Sequence, residues 1–228
     1  MTRKLVIFDC DGTLVDSQNG IVEAMGHAFA RLGLASPSRQ RILSIVGLSL
    51  PQALAVLASE HDAPTQSGLV EGYRNAFTQM RQEVVVHEPL YPGMRDIVAT
   101  LAAREDVVLG IATGKSRRGV ARLFDREDWH EHFLTVQTAD DHPSKPDPSM
   151  IMRAMEEAGT STHCTVMIGD TSFDMEMARN AGVGAIGVGW GYHDRERLTR
   201  AGAHVVTSEH GDLLALVDAQ LAAQEAQA

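Results

Sequence analysis

The sequence predicts an α/β fold in which helices cover both faces of a parallel β-sheet. Short apolar runs of strand length recur along the chain, helical patterns separate most of them, and glycine or proline stands at many of the junctions. A chain of 228 residues is long enough for one such core and a smaller inserted unit. In a sheet of this class, the ligand site lies at the carboxyl ends of the strands.

Six apolar runs read as buried strands, and they set the order of the predicted core. They cover residues 5–8, 107–112, 134–136, 165–168, 185–188 and 204–206. Turn signals place three helices between them. The Pro92-Gly93 turn precedes a helix over residues 94–104, and Gly182 ends a helix over residues 175–180. Pro148, with Asp147 as a candidate N-cap, begins a helix over Ser149–Ala158.

The interval between the first two predicted strands is far longer than one crossover helix needs. Helical patterns fill it, over residues 21–32, from 37 or 38 to 46, over 51–59 and over 66–86. Pro89 and Pro92 mark the return to the sheet. We therefore predict an α-helical cap domain over residues 17–88, inserted into a core domain of residues 1–16 and 89–228. One fused domain without independent motion is the alternative.

Composition excludes several classes of function. A net charge of −10 and a pI near 5.4 oppose a nucleic-acid partner, because no basic run is present to neutralise phosphates. No stretch approaches the roughly 18 apolar residues of a membrane span, and no signal-peptide pattern begins the chain. Cys10 and Cys164 fall at opposite ends of the predicted sheet, which opposes a disulfide. We expect a cytoplasmic protein, as a monomer or a homodimer, with no membrane partner.

Asp9 and Asp11 follow the first predicted strand directly, and Gly12 comes next. Two carboxylates this close repel each other unless a metal or a proton relieves the charge, so the pattern predicts a cation site. An ordinary Asp-Gly turn is the alternative. An EF-hand calcium loop is excluded, because the glycine is fourth instead of sixth and Gly20 stands where the twelfth-position acid is required.

Polar residues also end later strands of the predicted sheet. Thr113 follows the second strand, and Lys145, one of only three lysines, lies in a rigid proline-rich segment before a helix. Each has an ordinary alternative: Thr113 as a strand end, Lys145 as a surface lysine, and Asp174 as a helix N-cap. Acids follow the third and fourth predicted strands: Asp140 and Asp141 after the third, and Asp170 and Asp174 after the fourth.

Three other patterns do not indicate sites. The run from Gly110 to Ser116 has one residue too few between its glycines for a P-loop. Gly187, Gly189 and Gly191 precede no helix with a dinucleotide-binding spacing, so we expect them to allow close backbone approach. The histidines lack metal-site spacing, and His130 and His132 are expected to face solvent.

Four motifs, in this order along the chain, resemble those of the haloacid dehalogenase superfamily, in its helical-capped (C1) phosphatase branch. The resemblance extends over the whole chain and implies a Rossmann-like core with an inserted cap. The motifs are Asp9-Cys10-Asp11-Gly12-Thr13, Thr113, Lys145 and Gly169-Asp170-Thr171-Ser172-Phe173-Asp174.

The resemblance implies a Mg²⁺-dependent phosphomonoesterase. Asp9 would be the nucleophile that forms an aspartyl-phosphate, and Asp11 the general acid and then the general base. Mg²⁺ would be held by Asp9, by the backbone carbonyl of Asp11 and by Asp170, with Asp174 supporting its water shell.

The resemblance also implies phosphate contacts. The Thr113 hydroxyl and nearby backbone N–H groups, including that of Gly114, would hold the phosphate oxygens, while Lys145 would neutralise charge. Gly47 lies in the 46–49 segment, which occupies the position of the specificity loop. That segment offers no obvious arginine to pair with a substrate.

Differences within the superfamily narrow the activity. Dehalogenases lack the second acid, here Asp11, and the predicted cap has no lysine for the Schiff base of phosphonoacetaldehyde hydrolases. Thr13 favours hydrolysis over a β-phosphoglucomutase-like reaction, which stays an alternative together with a non-catalytic phosphometabolite-binding protein. The opening motif and the Gly-Val-Gly-Trp-Gly-Tyr stretch most resemble phosphoglycolate phosphatases. The expected partner is a small phosphorylated metabolite.

Overall fold

The computed structural model describes residues 3–82 and 88–226, and its centre is a six-stranded parallel sheet. The strand order is β3-β2-β1-β4-β5-β6. All six predicted strands are confirmed, with ends that differ by one or two residues. The strands are β1 (Lys4–Phe8), β2 (Val107–Thr113), β3 (Phe133–Thr138), β4 (Thr165–Gly169), β5 (Gly184–Val188) and β6 (Val205–Thr207).

Helices cover both faces of this sheet, as the predicted class requires. Side chains alternate along β1, so Val6 and Phe8 enter one apolar core while Leu5 and Ile7 enter the other. Three helices pack on the first face: α5 (Met94–Ala102), α6 (Arg117–Glu127) and α10 (Leu213–Glu225). Three pack on the second: α7 (Ser149–Ala158), α8 (Ser172–Ala181) and α9 (Arg195–Arg200).

One predicted helix start needs correction. Helix α7 begins at Ser149 as predicted; its N-cap position is Pro148, and the Asp147 carboxylate, one residue earlier, accepts a hydrogen bond from the Ser149 N–H in the first turn at 2.9 Å. Helix α8 begins at Ser172, earlier than predicted, because Thr171 is its N-cap. Asp174 is therefore not the N-cap but the third helical residue of a capping box.

Four helices and a separate apolar core fill the interval between β1 and β2. Met25, Phe29, Ile42, Leu54 and Leu69 lie in this core and not in either core of the sheet. The predicted end of the last helix at residue 86 lies outside the described residues. The helices are α1 (Gln18–Arg31), α2 (Arg39–Leu43), α3 (Leu50–Leu57) and α4 (Ala63–Gln82).

The two connections between the helical cap and the sheet run side by side. The Asp16 N–H donates to the carbonyl of Pro89 at 2.8 Å, and Val15 forms an antiparallel bridge with Leu90. Both connections therefore leave the same edge of the core. The division at residues 17 and 88 stays a prediction.

Direct hydrogen bonds hold the cap over the carboxyl ends of the strands. The Ser49 N–H donates to the Ser144 hydroxyl at 2.8 Å, and the Nε2 of His193 lies 3.1 Å from the carbonyl of Ser44. Each bond joins a cap residue to a core loop.

Both cysteines are free and buried, as expected. Within the part of the chain that the structure describes, every helix is too short or too polar to span a bilayer.

Candidate active site

The loop after β1 brings Asp9 and Asp11 to the rim of the sheet. The chain turns tightly there, because the N–H groups of Thr13 and Leu14 both donate to the Cys10 carbonyl. Gly12 has a φ of +90°, and a Cβ at this position would lie 2.2 Å from Oδ2 of Asp170. Only glycine allows this turn to approach the acid that follows β4.

Three predicted metal ligands meet at one point. The carboxylates of Asp9, Asp170 and Asp174 each offer an oxygen within 4.8 Å of the other two, and all three residues are buried. The cluster forms because β1 and β4 are neighbours, with Phe8 beside Ile168 in the register. The side chain of Asp11 lies outside this cluster, which is compatible with the role that the resemblance gives to its backbone carbonyl.

This donor set fits a hard cation such as Mg²⁺. No described residue donates a hydrogen bond to either oxygen of Asp9, although both are buried. The pKa of Asp9 is raised to about 6, because burial, together with the Asp174 carboxylate, outweighs the opposing charge of Lys145. Burial and the carboxylates of Asp174 and Asp9 raise the pKa of Asp170 well above its usual range. A divalent cation would remove the cost of burying these charges.

Asp170 is held in place by two hydrogen bonds. Its Oδ1 accepts from the Thr13 hydroxyl at 2.8 Å, and its Oδ2 accepts from the Tyr192 N–H at 2.9 Å. Gly191 allows the second contact, because a Cβ there would lie 2.3 Å from the Asp170 side chain. The sequence placed Gly191 at a close backbone approach without linking it to the site.

Lys145 lies between two of the acids. Its Nζ is 2.5 Å from Oδ1 of Asp174 and 3.1 Å from Oδ1 of Asp9, and the residue is 1% exposed. Burial alone would lower the pKa of Lys145, but the carboxylates of Asp174 and Asp9 outweigh it and keep the lysine charged. The surface alternative for Lys145 is therefore wrong.

Asp174 is oriented by its own helix. Its Oδ2 accepts from the backbone N–H and the hydroxyl of Thr171, at 3.0 and 2.7 Å, while Oδ1 accepts from Lys145. The capping box therefore aims this carboxylate at Lys145 and at the cluster. The capping and site interpretations of Asp174, posed as alternatives, describe one arrangement.

Thr113 ends β2 and Gly114 follows it, beside the acids. Both residues line the cavity described below. A Cβ on Gly114 would lie 2.7 Å from the carbonyl oxygens of Gly47 and Leu48, so glycine lets the cap loop rest on this turn. Gly47, with a φ of +103°, approaches the Thr171 hydroxyl in the same way. The structure thus brings the predicted cap residue to the predicted phosphate-binding turn.

Lys115 is a site residue for which the sequence offered only one signal, the scarcity of lysine. Its Nζ donates to Asp11 Oδ1 at 2.6 Å and to Glu88 Oε1 at 3.0 Å. Burial opposes its charge, but the Asp11 and Glu88 carboxylates raise the pKa of Lys115 above its usual range.

Trp190, whose role the sequence left open, donates from its indole N–H to the Thr13 carbonyl at 3.2 Å.

A cavity of about 550 Å³ lies between the cap and this rim. Asp9 and Asp11 reach it from the core, and Gly47 and Leu48 from the cap. The arginines that line it come from α4 and α6, whereas the 46–49 segment has none. They are Arg74, Arg118 and Arg122.

Known proteins share both the sequence and the fold. The family model of the haloacid dehalogenase-like hydrolases matches residues 6–188. A protein named probable phosphatase IndB, from Dickeya dadantii, is 34% identical over 96% of this chain and 95% of its own. A phosphoglycolate phosphatase of Chromobacterium violaceum is 33% identical over 86% of this chain and 89% of its own.

A solved structure agrees with this relationship. A hydrolase from Pseudomonas syringae superposes with a TM-score of 0.82 at 27% identity, over 96% of this chain and 98% of that one. The Rossmann-like core with its helical insertion is confirmed as the fold of these proteins. The alternative of a non-catalytic binding protein is set aside by the phosphatase relatives. The chain belongs to the haloacid dehalogenase-like hydrolases, as a phosphatase of the phosphoglycolate phosphatase-like group.

Proposed function

We propose that the protein is a Mg²⁺-dependent phosphomonoester hydrolase that acts on a small phosphorylated metabolite through an aspartyl-phosphate. The observation that carries this proposal is the state of Asp9. Its carboxylate is buried without a hydrogen bond from the described residues, lines the cavity, and has the Lys145 ammonium 3.1 Å away. A carboxylate that is buried at a cost and compensated only by this ion pair is suited to act as a nucleophile.

The residues divide the reaction between them. An oxygen of Asp9 attacks phosphorus, the bond from phosphorus to the leaving oxygen breaks, and Asp11 gives that oxygen a proton. Asp11 then takes a proton from water, whose oxygen attacks phosphorus and releases Asp9. Lys145 stays charged beside Asp9, and Thr113 and the Gly114 N–H hold phosphate oxygens.

Mg²⁺, when bound by Asp9, Asp170 and the Asp11 carbonyl, would supply charge neutralisation for the transferring group. Asp174 supports this arrangement from its capping box through Lys145. Several relatives are named phosphoglycolate phosphatases, which makes phosphoglycolate the first substrate to test.

The test is phosphate release from p-nitrophenyl phosphate and phosphoglycolate, with Mg²⁺ and with EDTA. We expect release only with Mg²⁺, and a fall of roughly 10³-fold or more in kcat for Asp9→Asn. Asp125→Asn is the matched control, because the Asp125 side chain is 70% exposed and pairs only with His130 among the contacts described. Undiminished turnover by Asp9→Asn would refute the nucleophile.

The mutase alternative has its own readout. A β-phosphoglucomutase-like enzyme moves the phosphoryl group to another position of a phosphosugar and leaves little phosphate in water. We expect free phosphate as the product from sugar monophosphates. Isomerised phosphosugar as the main product would replace hydrolysis with phosphomutase activity.

A further inference from the structure

Lys115 lies beside the chemistry, yet none of the roles above involves its side chain. It stands in the turn between β2 and α6, and its side chain is only 9% exposed. Its backbone N–H donates to the Thr113 hydroxyl at 3.1 Å, which places it directly next to the predicted phosphate-binding turn. Its ammonium points along the rim of the sheet to Asp11.

The ammonium joins carboxylates from the two connections between cap and core. Asp11 lies in the turn that leads into the cap, and Glu88 precedes Pro89, where the chain re-enters the core. Both carboxylates are largely shielded, with side-chain exposures of 14% and 12%. One positive charge thus holds together two negative charges that would otherwise repel each other at close range.

The first turn of α6 makes room for this lysine. A Cβ on Gly119 would lie 2.9 Å from Cγ of Lys115 and within 3.3 Å of its Cδ and Cε. The aliphatic stem of Lys115 therefore rests on the bare backbone of Gly119. This contact fixes the stem, while Asp11 and Glu88 fix the ammonium.

We propose that Lys115 is a positioning residue that orients Asp11 for proton transfer to the leaving group. This inference rests on the proposed function, since it assigns Asp11 the proton that the leaving oxygen takes as its bond to phosphorus breaks. Without Lys115, the Asp11 and Glu88 carboxylates move apart, and Asp11 no longer meets the leaving oxygen. Attack by Asp9 and binding of the phosphoryl group do not depend on Lys115.

A comparison of leaving groups tests this role. Benzyl phosphate releases a strongly basic alkoxide that needs a proton, whereas p-nitrophenyl phosphate releases a stable anion that does not. For Lys115→Met with Mg²⁺, we expect kcat/KM for benzyl phosphate to fall about 100-fold and kcat/KM for p-nitrophenyl phosphate to fall less than about fivefold. The comparison uses kcat/KM because this quantity reports the steps up to formation of the aspartyl-phosphate, whereas kcat also contains its hydrolysis, in which Asp11 acts on water for both esters.

Two further variants separate positioning from general damage. Gly119→Ala keeps every charge and favours the helix, but crowds the lysine stem, so we expect the same selective loss at about tenfold. Lys4→Met removes a lysine at the opposite end of the sheet, where Nζ lies 3.5 Å from Glu225, and should change kcat/KM for neither ester beyond about twofold. A crystal structure of Lys115→Met should show the Asp11 carboxylate displaced.

Other results overturn the proposal. Equal falls in kcat/KM for both esters would make Lys115 a contact of the phosphoryl group instead. An unmoved Asp11 in the Lys115→Met structure would also refute it. If the wild-type protein hydrolyses neither ester with Mg²⁺, the proposed function itself fails. If the wild type is active and Lys115→Met loses both activities equally, only the role proposed for Lys115 fails.

Discussion

At the scale of single residues, the site is an imbalance of buried charge. Asp9, Asp170 and Asp174 contribute three carboxylates, while Lys145 is the one ammonium within 4 Å of any of them among the described ion pairs. Each Asp170 oxygen and each Asp174 oxygen has a donor, whereas Asp9 has none. The residue proposed to react is therefore the least compensated of the three acids, with only the ammonium of Lys145 that it shares with Asp174.

Loss of the Lys145 ammonium is expected to destabilise the metal-free protein. Lys145→Met leaves buried carboxylates without a cation, which costs about 3–5 kcal/mol in the free energy of unfolding. Urea denaturation with EDTA measures this loss, and Mg²⁺ should restore part of it. Lys4→Met, which removes a partly exposed ion pair, should cost less than about 1 kcal/mol. Similar losses in the two variants would contradict the buried-charge interpretation.

At the scale of elements, strand order and one cap loop assemble the site. Strand β1 lies between β2 and β4, with Phe8 beside Ile111 on one side and Ile168 on the other. Residues that end these three strands therefore meet, although long stretches of sequence separate them. The cap adds Gly47 through the contact with Gly114.

A histidine contact between core and cap makes stability depend on pH. His193 is 3% exposed, its Nδ1 accepts from the Ser172 N–H at 2.8 Å, and its Nε2 faces the Ser44 carbonyl. Burial, with the nearby Arg197 guanidinium, lowers the pKa of His193 to about 4. The His193 imidazole is protonated near pH 6.5 in the unfolded chain, but only near pH 4 in the folded protein. Stability from this group is thus complete above pH 6.5 and is lost as pH falls toward 4.

The magnitude follows from the shift. Between pH 7.5 and pH 5, the wild-type protein should lose on the order of 2 kcal/mol of unfolding free energy through His193. Denaturant titrations at both pH values give the loss of unfolding free energy between pH 7.5 and pH 5 for wild type and for His193→Gln. The difference between these two losses is the contribution of His193. Parallel pH profiles for the two proteins would show that His193 does not contribute.

At the scale of the whole molecule, the protein has a net negative charge and also contains a buried cluster of three carboxylates. The chain carries a net charge of −10, and the cluster of Asp9, Asp170 and Asp174 lies under the cap with no bulk solvent to screen it. Stability of the complete fold should therefore respond to divalent cations.

Mg²⁺ is expected to raise the melting temperature of the protein. A ligand that binds only the folded state at 100 times its Kd stabilises that state by about 2.7 kcal/mol. Calorimetry in EDTA and in Mg²⁺ should show this increase in wild type and its loss in Asp170→Asn. Asp125→Asn, altered on an exposed carboxylate, should keep the full response. An equal response in all three proteins would point to nonspecific screening.

The sequence by itself determined the strands, the presence of the predicted helices, and the acids, threonine and lysine near the strand ends. These features are encoded locally, by apolar periodicity and by glycine and proline at turns. Only the tertiary structure decided that Lys115 joins Asp11 to Glu88, that Gly191 makes room for Asp170, and that the cavity arginines come from α4 and α6. Such contacts join residues far apart in the chain, so they depend on strand order and cap packing and leave no local pattern to read.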